Sequence, residues 1–552
     1  MFKGHPRGLF VLAFANLGER FGYYTMLAIF TLYLQDHFFW DEGQAANLYG
    51  LFLAGIYIAP MLGGMIADAW LGYGKTVTLG LIIMTLGYVL LSQTGANPVP
   101  MYFALGVIAI GVGLFKGNLA VIVGNLYEKS SVSHLRDAAF NIFYMFINIG
   151  AMFAPYAATS LKNWMMASKG YEYDSGMPYI ANSIINGQSV SAEGLGQITA
   201  MATAKGESVE VFAKGFLDSL SGGYTLGFAA AGISMVISLV IFMVLRKYYV
   251  DADYMQKDKK ASDTTVKELT PKQTRDRIVA LLLVFLIVIF FWMAFHQNGS
   301  TLTFFAKKYT NLEVGRFTYL LFNIPSLLAI FAVILGMVAA FNKAASRNMK
   351  ILGGVFTIAG LGYIMYALSG VSGNTRIDPE LFQSFNPMFV VFLTPVIVGY
   401  FSWLNTKKKE PSAPKNIGIG MTITTIAFAI MLYASFGLPS VTALAGGTVG
   451  QSLAVSPYWL ISTYFTLTIA ELCLSPMGLS FVSKVAPPKL RGTMQAGWLG
   501  ATAIGNYLAG YVGRFYMNWE LWQFFLLLII VAAVSAIIMF SIMKIIRRSS
   551  ES

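Results

Sequence analysis

Asn16-Leu17-Gly18-Glu19-Arg20-Phe21-Gly22-Tyr23-Tyr24 lies inside the first long apolar run of the chain, Leu9 to Leu34. Asn16, Glu19, Arg20, Tyr23 and Leu27 are spaced i, i+3, i+4, i+7 and i+11, so a helix puts them on one face. An intramembrane charge costs at least about 2.5–3.5 kcal/mol unless it is paired or wetted. A face with two ionisable groups, an amide and a tyrosine therefore turns to a polar interior. The rest of the chain has to build that interior.

Of the 552 residues, 56% are hydrophobic and only 12% charged, about half the charge content of a soluble protein. Apolar runs of roughly 20 residues recur along the chain, the length that crosses a bilayer as a helix. The expectation is a polytopic helical membrane protein whose surroundings are lipid. The net charge of +12 does not point to nucleic acid, because the basic residues sit in short connections between apolar runs, as positive-inside loops do. The single cysteine, Cys473, excludes an intrachain disulfide. Lys3 and Arg7 precede a run too long and too polar for the core of a cleavable signal, so that run is expected to stay as a span.

Apolar runs bounded by charge or by Gly/Pro breaks fall at about 9–35, 46–70, 76–94, 101–127, 138–160, 223–246, 278–306, 317–341, 350–370, 384–404, 417–437, 457–482, 494–516 and 521–546, roughly 14 spans. Residues 161–222 read as a polar, Gly/Ser-rich connection, weakly amphipathic near 193–220. The most basic stretch, Arg246 to Arg277, carries Lys257, Lys259, Lys260, Lys267, Lys272 and Arg275, and separates six spans from eight. The expected fold is all-α: a bundle over 1–247, a cytoplasmic linker over 248–277, and a second bundle over 278–552 that includes an extra helix pair at about 317–370. Two six-helix bundles joined this way are the pattern of the major facilitator superfamily.

With the N-terminus in the cytoplasm, Lys75, Lys129 to Arg136, the linker, Lys343 to Lys350, Lys407 to Lys415, Lys484 to Arg491 and Lys544 to Arg548 all fall inside. Both termini are then cytoplasmic. Asp36–Glu42, Gln93–Pro100, 161–222 and Gly437–Ser456 fall outside, and Lys307, Lys308, Arg316 and Arg376 break the rule. The spacing Gly64-x-x-x-Asp68-x-x-x-Gly72-x-x-Lys75 fits the same fold, because a carboxylate at a helix end with a glycine turn and a lysine can lock neighbouring helices by charge and dipole.

With residues at span ends set aside, few ionisable groups lie deep in spans: Glu19, Arg20, Lys116, His296 and Glu471. Arg20 and Lys116 belong to the first half, His296 and Glu471 to the second. That split suits a substrate with opposite charges at its ends, held between the halves; structural pairing of Glu19 with Arg20 or Lys116 is the alternative. His296 has no second His or Cys near it, so a metal ligand is not expected; it reads either as a hydrogen-bonded helix residue or as a group that takes up a proton. Glu471 and Ser475 share a helix face just before Pro476 and could receive an amine. There is no nucleophile with a base, no metal cluster and no phosphate loop, so neither an enzyme nor a cofactor is expected.

Several motifs carry a resemblance to the proton-coupled oligopeptide transporter family. They are Glu19-Arg20-Phe21-Gly22-Tyr23-Tyr24, Gly63 to Gly72, Gly113-Leu114-Phe115-Lys116-Gly117-Asn118, Phe143 to Gly150, Phe382-Gln383-Ser384-Phe385-Asn386-Pro387 and Glu471 to Ser480. The resemblance implies a multi-pass symporter in a bacterial cytoplasmic membrane, taking up di- and tripeptides with protons. It implies that Arg20 and Lys116 lie near the peptide carboxylate, that Glu471 with Asn386 and Ser475 lies near its amino end, and that Tyr23, Tyr24, Tyr57 and Asn148 line the pocket. Three positions depart from the family pattern: Asn16 where it has a glutamate, Leu27 where it has an arginine, and His296 where it has an acid. Glu19 and His296 are the remaining candidates for proton coupling. Another small solute (an amino acid, a nitrate-like anion or a modified peptide) and a non-transporting peptide sensor are the other functions compatible with the residues.

Overall fold

The computed structural model is described at residues 4–128, 131–254, 270–342, 346–370, 373–409, 411–444, 447–487 and 490–551. Of the expected linker and its lysines, Lys257, Lys259, Lys260 and Lys267 lie outside the described residues, as do Lys129, Lys343 and Lys489.

Among the described residues, fourteen helices are 18 residues or longer. The first six are α1 (Arg7–Phe38), α2 (Glu42–Ile66), α3 (Tyr73–Ser92), α4 (Val99–Asn125), α5 (Arg136–Ser168) and α6 (Val209–Val244). Next come α7 (Pro271–Phe295), α8 (Ile324–Phe341), α9 (Arg347–Gly370) and α10 (Phe385–Thr406), and the chain ends with α11 (Ala413–Ser435), α12 (Tyr458–Val485), α13 (Arg491–Asn518) and α14 (Leu521–Glu551). Among the described residues, eleven helices are long and apolar enough to cross a membrane. The other three long ones are α1, α12 and α13, which match the rest in length; Glu19, Arg20 and Asn16 lower the hydropathy of α1, and Arg491, Asn506 and Arg514 that of α13.

Two bundles of six helices form, with α8 and α9 as a peripheral pair. In the first bundle α1 packs between α5 and α6, and α4 between α2 and α3. In the second, α11 packs against α12 and α14, and α7 against α13 and α14. The bundles meet along α2 with α13 and α5 with α10. In a bilayer, helices gain little from burying apolar surface against one another, so close approach through small residues decides their packing. A Cβ at Gly150 of α5 would stand 2.6 Å from the Leu17 carbonyl oxygen, and one at Gly22 2.8 Å from that of Ala231 in α6. These two glycines set how α1, with its polar face, is seated.

The chain begins on one face, here the terminal face, and fourteen traversals return it there. On the far face Asn182 Nδ2 donates to the Asp36 carbonyl at 3.0 Å, His37 Nε2 meets the Gly95 carbonyl at 3.1 Å, and Val449 N–H donates to the Lys308 carbonyl at 2.9 Å. The segments expected to share a side therefore do gather. The 161–222 connection is shorter than expected, because α5 runs on to Ser168 and α6 starts at Val209. Between them lie the short helices Met177–Ile185 and Ala192–Lys205.

The seventh span is not continuous. Its helix stops at Phe295, a 3₁₀ turn covers His296–Gly299, and a second helix runs Thr301–Tyr309. The extra pair follows, its base closed by a two-stranded ribbon of β1 (Glu313–Val314) and β2 (Thr375–Arg376). Phe331 of α8 stacks on Phe392 of α10 with ring centroids 3.8 Å apart, and most of the pair's remaining apolar surface faces outward.

The glycine-turn motif also works differently from its sequence reading. Asp68 accepts the Tyr73 hydroxyl at 2.6 Å, and Lys75 is exposed. The carboxylate at the positive end of α3 is that of Asp253, which accepts the Gly74 N–H at 2.7 Å.

Candidate substrate site

A cavity of about 280 Å³ lies between the bundles, near the small end of ligand clefts. Helix α1 supplies Asn16, Arg20, Tyr23, Tyr24 and Leu27; α2 supplies Tyr49 and Tyr57; α4 supplies Lys116; α5 supplies Tyr144 and Asn148. From the second bundle come His296 and Asn298 at the break in the seventh span, Gln383 and Asn386 at the start of α10, and Glu471 and Ser475 on α12. All nine residues expected to bind substrate line this one space.

Glu19 does not. It is fully buried and grips the neighbouring Arg20 guanidinium through both carboxylate oxygens, at Nε and Nη2. The i, i+3, i+4 spacing had placed it on the wall. The structure instead makes it the partner behind the wall, holding Arg20 so that Nη1 stays outside the paired edge. The guanidinium also lies over the Tyr23 ring at 4.7 Å.

Lys116 has no carboxylate partner among the described residues. Its ammonium sits 3.9 Å above the centre of the Tyr57 ring, which offers a soft contact without neutralising it. Across the cavity, Glu471 Oε2 accepts from Asn386 Nδ2 at 2.9 Å, and Asn386 also donates to Thr468 Oγ1 at 3.1 Å. Asn386 thereby orients the carboxylate and leaves its charge available. His296 Nδ1 donates to the Trp292 carbonyl at 3.2 Å. In the neutral ring this leaves Nε2 as an acceptor.

Sequence reasoning missed Trp498, Leu499 and Thr502 of α13, and Gln383; Asn16 lines the cavity, in keeping with its place on the polar face of α1. The low hydropathy of α13 was the available signal. Gln383 reaches across the halves, donating to the Ala28 carbonyl at 3.0 Å and to Thr303 Oγ1 at 3.1 Å. No group of three or more His, Cys, Asp or Glu that could hold a metal occurs among the described residues.

Two six-helix bundles that enclose a central cavity, with a free cation on one wall and a free anion on the other, define a membrane transporter of the alternating-access class. A sequence profile of the POT family matches residues 74–270 and 355–521, more than half of the chain, so this protein belongs to that family. The unmatched stretch between holds α7, the helix break and α8. Among relatives, the uncharacterized transporter YclF of Bacillus subtilis is 26% identical over 92% of this chain and 88% of its own. The peptide transporter YePEPT of Yersinia enterocolitica is 27% identical over 93% of this chain and 88% of its own. A crystal structure of a mutant peptide transporter POT in complex with alafosfalin superposes with a TM-score of 0.68 at 23% identity, covering 100% of this chain and 96% of that one.

Proposed function

We propose that the protein imports di- and tripeptides with protons by alternating access, in a bacterial cytoplasmic membrane with both termini in the cytoplasm. One observation carries the reading: Lys116 and Glu471 face a single cavity from opposite bundles, and neither has a counter-ion among the described residues. A zwitterion of limited length satisfies both at once, and a single anion or cation satisfies only one. Arg20, already neutralised by Glu19, offers its free edge to the carboxylate end beside Lys116. Asn386 and Ser475 flank the amino end, with Tyr23, Tyr24, Tyr57 and Asn148 as walls tolerant of varied side chains. No bond of the substrate is made or broken in this reading, so the protein acts as a carrier and not as an enzyme.

The moving units are residues 1–247 and 278–552, joined by the 248–277 linker. The polar contacts seen between them lie from Ala28 toward the far face, so this conformer is closed outward. His296 receives the proton in the cavity, and Glu19 acts through Arg20. The test is labelled dipeptide uptake into proteoliposomes under an inward proton gradient. Wild type is expected to accumulate peptide. His296→Ala is expected to lose gradient-driven accumulation while gradient-free exchange persists. Wild type without gradient-dependent uptake over a varied peptide panel sinks the reading, and unchanged gradient dependence in His296→Ala sinks the role of that histidine.

A further inference from the structure

On the far face, away from the cavity, Lys162 near the end of α5 crosses to the other bundle. Its Nζ lies 2.5 Å from Glu380 Oε1 and 3.2 Å from Asp378 Oδ1, two residues that lead into α10. Thr159 Oγ1 donates to the same Glu380 oxygen at 3.1 Å, and Asn163 Nδ2 to Asp378 Oδ2 at 2.9 Å. The ammonium also lies 3.4 Å over the Tyr173 ring. Lys162 and Glu380 are fully buried.

The charges around this clasp do not balance. Asp36 of α1 is answered by Lys307 at 2.5 Å and by the Tyr224 hydroxyl of α6 at 2.6 Å. Asp174, in the connection after α5, is answered by Arg376 at 2.8 Å. Lys162 is the cation within ion-pair distance of both Asp378 and Glu380, while Arg376, paired with Asp174, faces Asp378 only at longer range across the adjoining cavity. With Lys308 paired to Glu42, five carboxylates thus face four cations across the seam, and Glu380 Oε2 is buried with no hydrogen-bond partner among the described residues. An uncompensated buried carboxylate is costly and takes a proton instead. A cavity of about 370 Å³ lined by Asn163, Tyr171, Glu172, Tyr173, Arg376 and Asp378 opens beside the clasp, with Glu172 exposed at its edge, and the Asp378 side chain is 13% exposed while that of Glu380 is sealed.

We propose that the Asp378–Glu380 pair is a proton-binding site, and that closing the far side takes up one proton there. The proton comes from water at the exposed edge of Asp378 and forms an O–H bond on a carboxylate oxygen, held in the closed seam by Glu380. When the bundles part on this side, both carboxylates meet water and the proton leaves. The sign follows from linkage: the closed state binds one more proton, so falling pH favours closure, by at most about tenfold per pH unit for one proton. The proposal rests on the alternating-access part of the proposed function and is independent of what is carried.

The test needs no substrate. Thr31, buried at the seam and bonded to the Gly299 carbonyl, is changed to cysteine in a Cys473→Ser background. A membrane-impermeant maleimide is added on the far side of oriented vesicles between about pH 5 and pH 8, the range below and above ordinary carboxylate and histidine titration. Labelling, taken at each pH relative to an exposed far-face cysteine (Ser189→Cys) because the thiolate is the reacting form, should slow as pH falls in the parent. Glu380→Gln, a lasting mimic of the protonated form, should label slowly at every pH. Asp378→Asn leaves one carboxylate for one lysine and should behave the same way; it also decides the matter if Glu380→Gln does not fold. Lys162→Met leaves two uncompensated carboxylates, so closure needs two protons and the response should steepen toward about a hundredfold per pH unit. Parent labelling that ignores pH or quickens with acid overturns the proposal, as does a parent-like response in Asp378→Asn. If peptide uptake fails while labelling follows pH as expected, the cargo reading falls and the proton site stands.

Discussion

The central cavity and the far-face seam both set charges of the first bundle opposite charges of the second, and they treat them in opposite ways. In the cavity Lys116 and Glu471 are left without counter-ions among the described residues. In the seam Lys307 meets Asp36, Lys308 meets Glu42, and Lys162 meets Asp378 and Glu380. Unpaired charge facing an enclosed space is available to a ligand. Charge paired across an interface holds that interface shut. The same residue types thus bind in one layer and latch in the other, and whether the opposed groups face a cavity or each other decides which.

The largest effect is expected where a seam pair is broken outright. Glu42→Ala strands a Lys308 that is nearly buried, and removing one partner of a buried ion pair costs about 3–5 kcal/mol. Because the pair joins the two bundles, the loss falls on the far-side-closed state and leaves each bundle's own packing intact. Far-side labelling at position 31 should rise by roughly 100-fold or more, the lower end of that cost converted at 1.4 kcal/mol per decade. An unchanged rate would show that this pair does not latch.

Next come the cavity charges. Lys116→Met and Glu471→Gln each remove one charge-assisted contact to a bound zwitterion, worth about 1.5–3 kcal/mol. Apparent dipeptide affinity should fall by roughly 10- to 150-fold, without the faster far-side labelling of the seam variant. If Lys116→Met opened the seam, or Glu42→Ala weakened binding while leaving the seam closed, the two layers would not divide the work as described.

How much of this was legible in the sequence follows the same division. The cavity residues were readable because a charge deep in an apolar run has few explanations, and Arg20, Lys116, His296 and Glu471 all proved to line one space. The seam was hidden by setting aside residues at span ends, which is where latching groups must lie. Yet Lys307, Lys308 and Arg376 were already visible as violations of the positive-inside pattern, and each proves to be paired with a carboxylate. A basic residue on the wrong side is affordable when an acid of the other bundle answers it. Glu19 was misplaced on the wall because helical spacing gives a face and not a rotamer. Its side chain turns to Arg20, one residue away. The break at His296–Gly299 was legible but passed over: His296-Gln297-Asn298-Gly299-Ser300 interrupts the apolar run, and its Asn-Gly pair is a turn signal.

The smallest effect should come from the terminal face, where a helix end is pinned within one bundle. Asp253 accepts the Gly74 N–H at 2.7 Å, and Arg246 Nη2 lies 3.4 Å from its other oxygen. A carboxylate at a helix N-terminus contributes about 0.3–1 kcal/mol, screened by salt, and the Arg246 side chain is 58% exposed, so its contribution is close to nil. Gly74 and Arg246 belong to the first bundle and Asp253 to the start of the linker, so this contact ties nothing to the second bundle and does not discriminate between the two states of the seam. Asp253→Asn keeps an acceptor oxygen for Gly74 and removes only the charge. It is therefore expected to lower the thermal midpoint of the purified protein by no more than a few degrees, on the order of ΔΔG divided by the unfolding entropy. Far-side labelling and peptide affinity should stay within about twofold of wild type, because less than about 0.5 kcal/mol reaches the interface between the bundles. A shift in the pH response of far-side labelling in Asp253→Asn would mean that the terminal face also latches, and that the contrast between cavity and seam is one part of a three-layer arrangement.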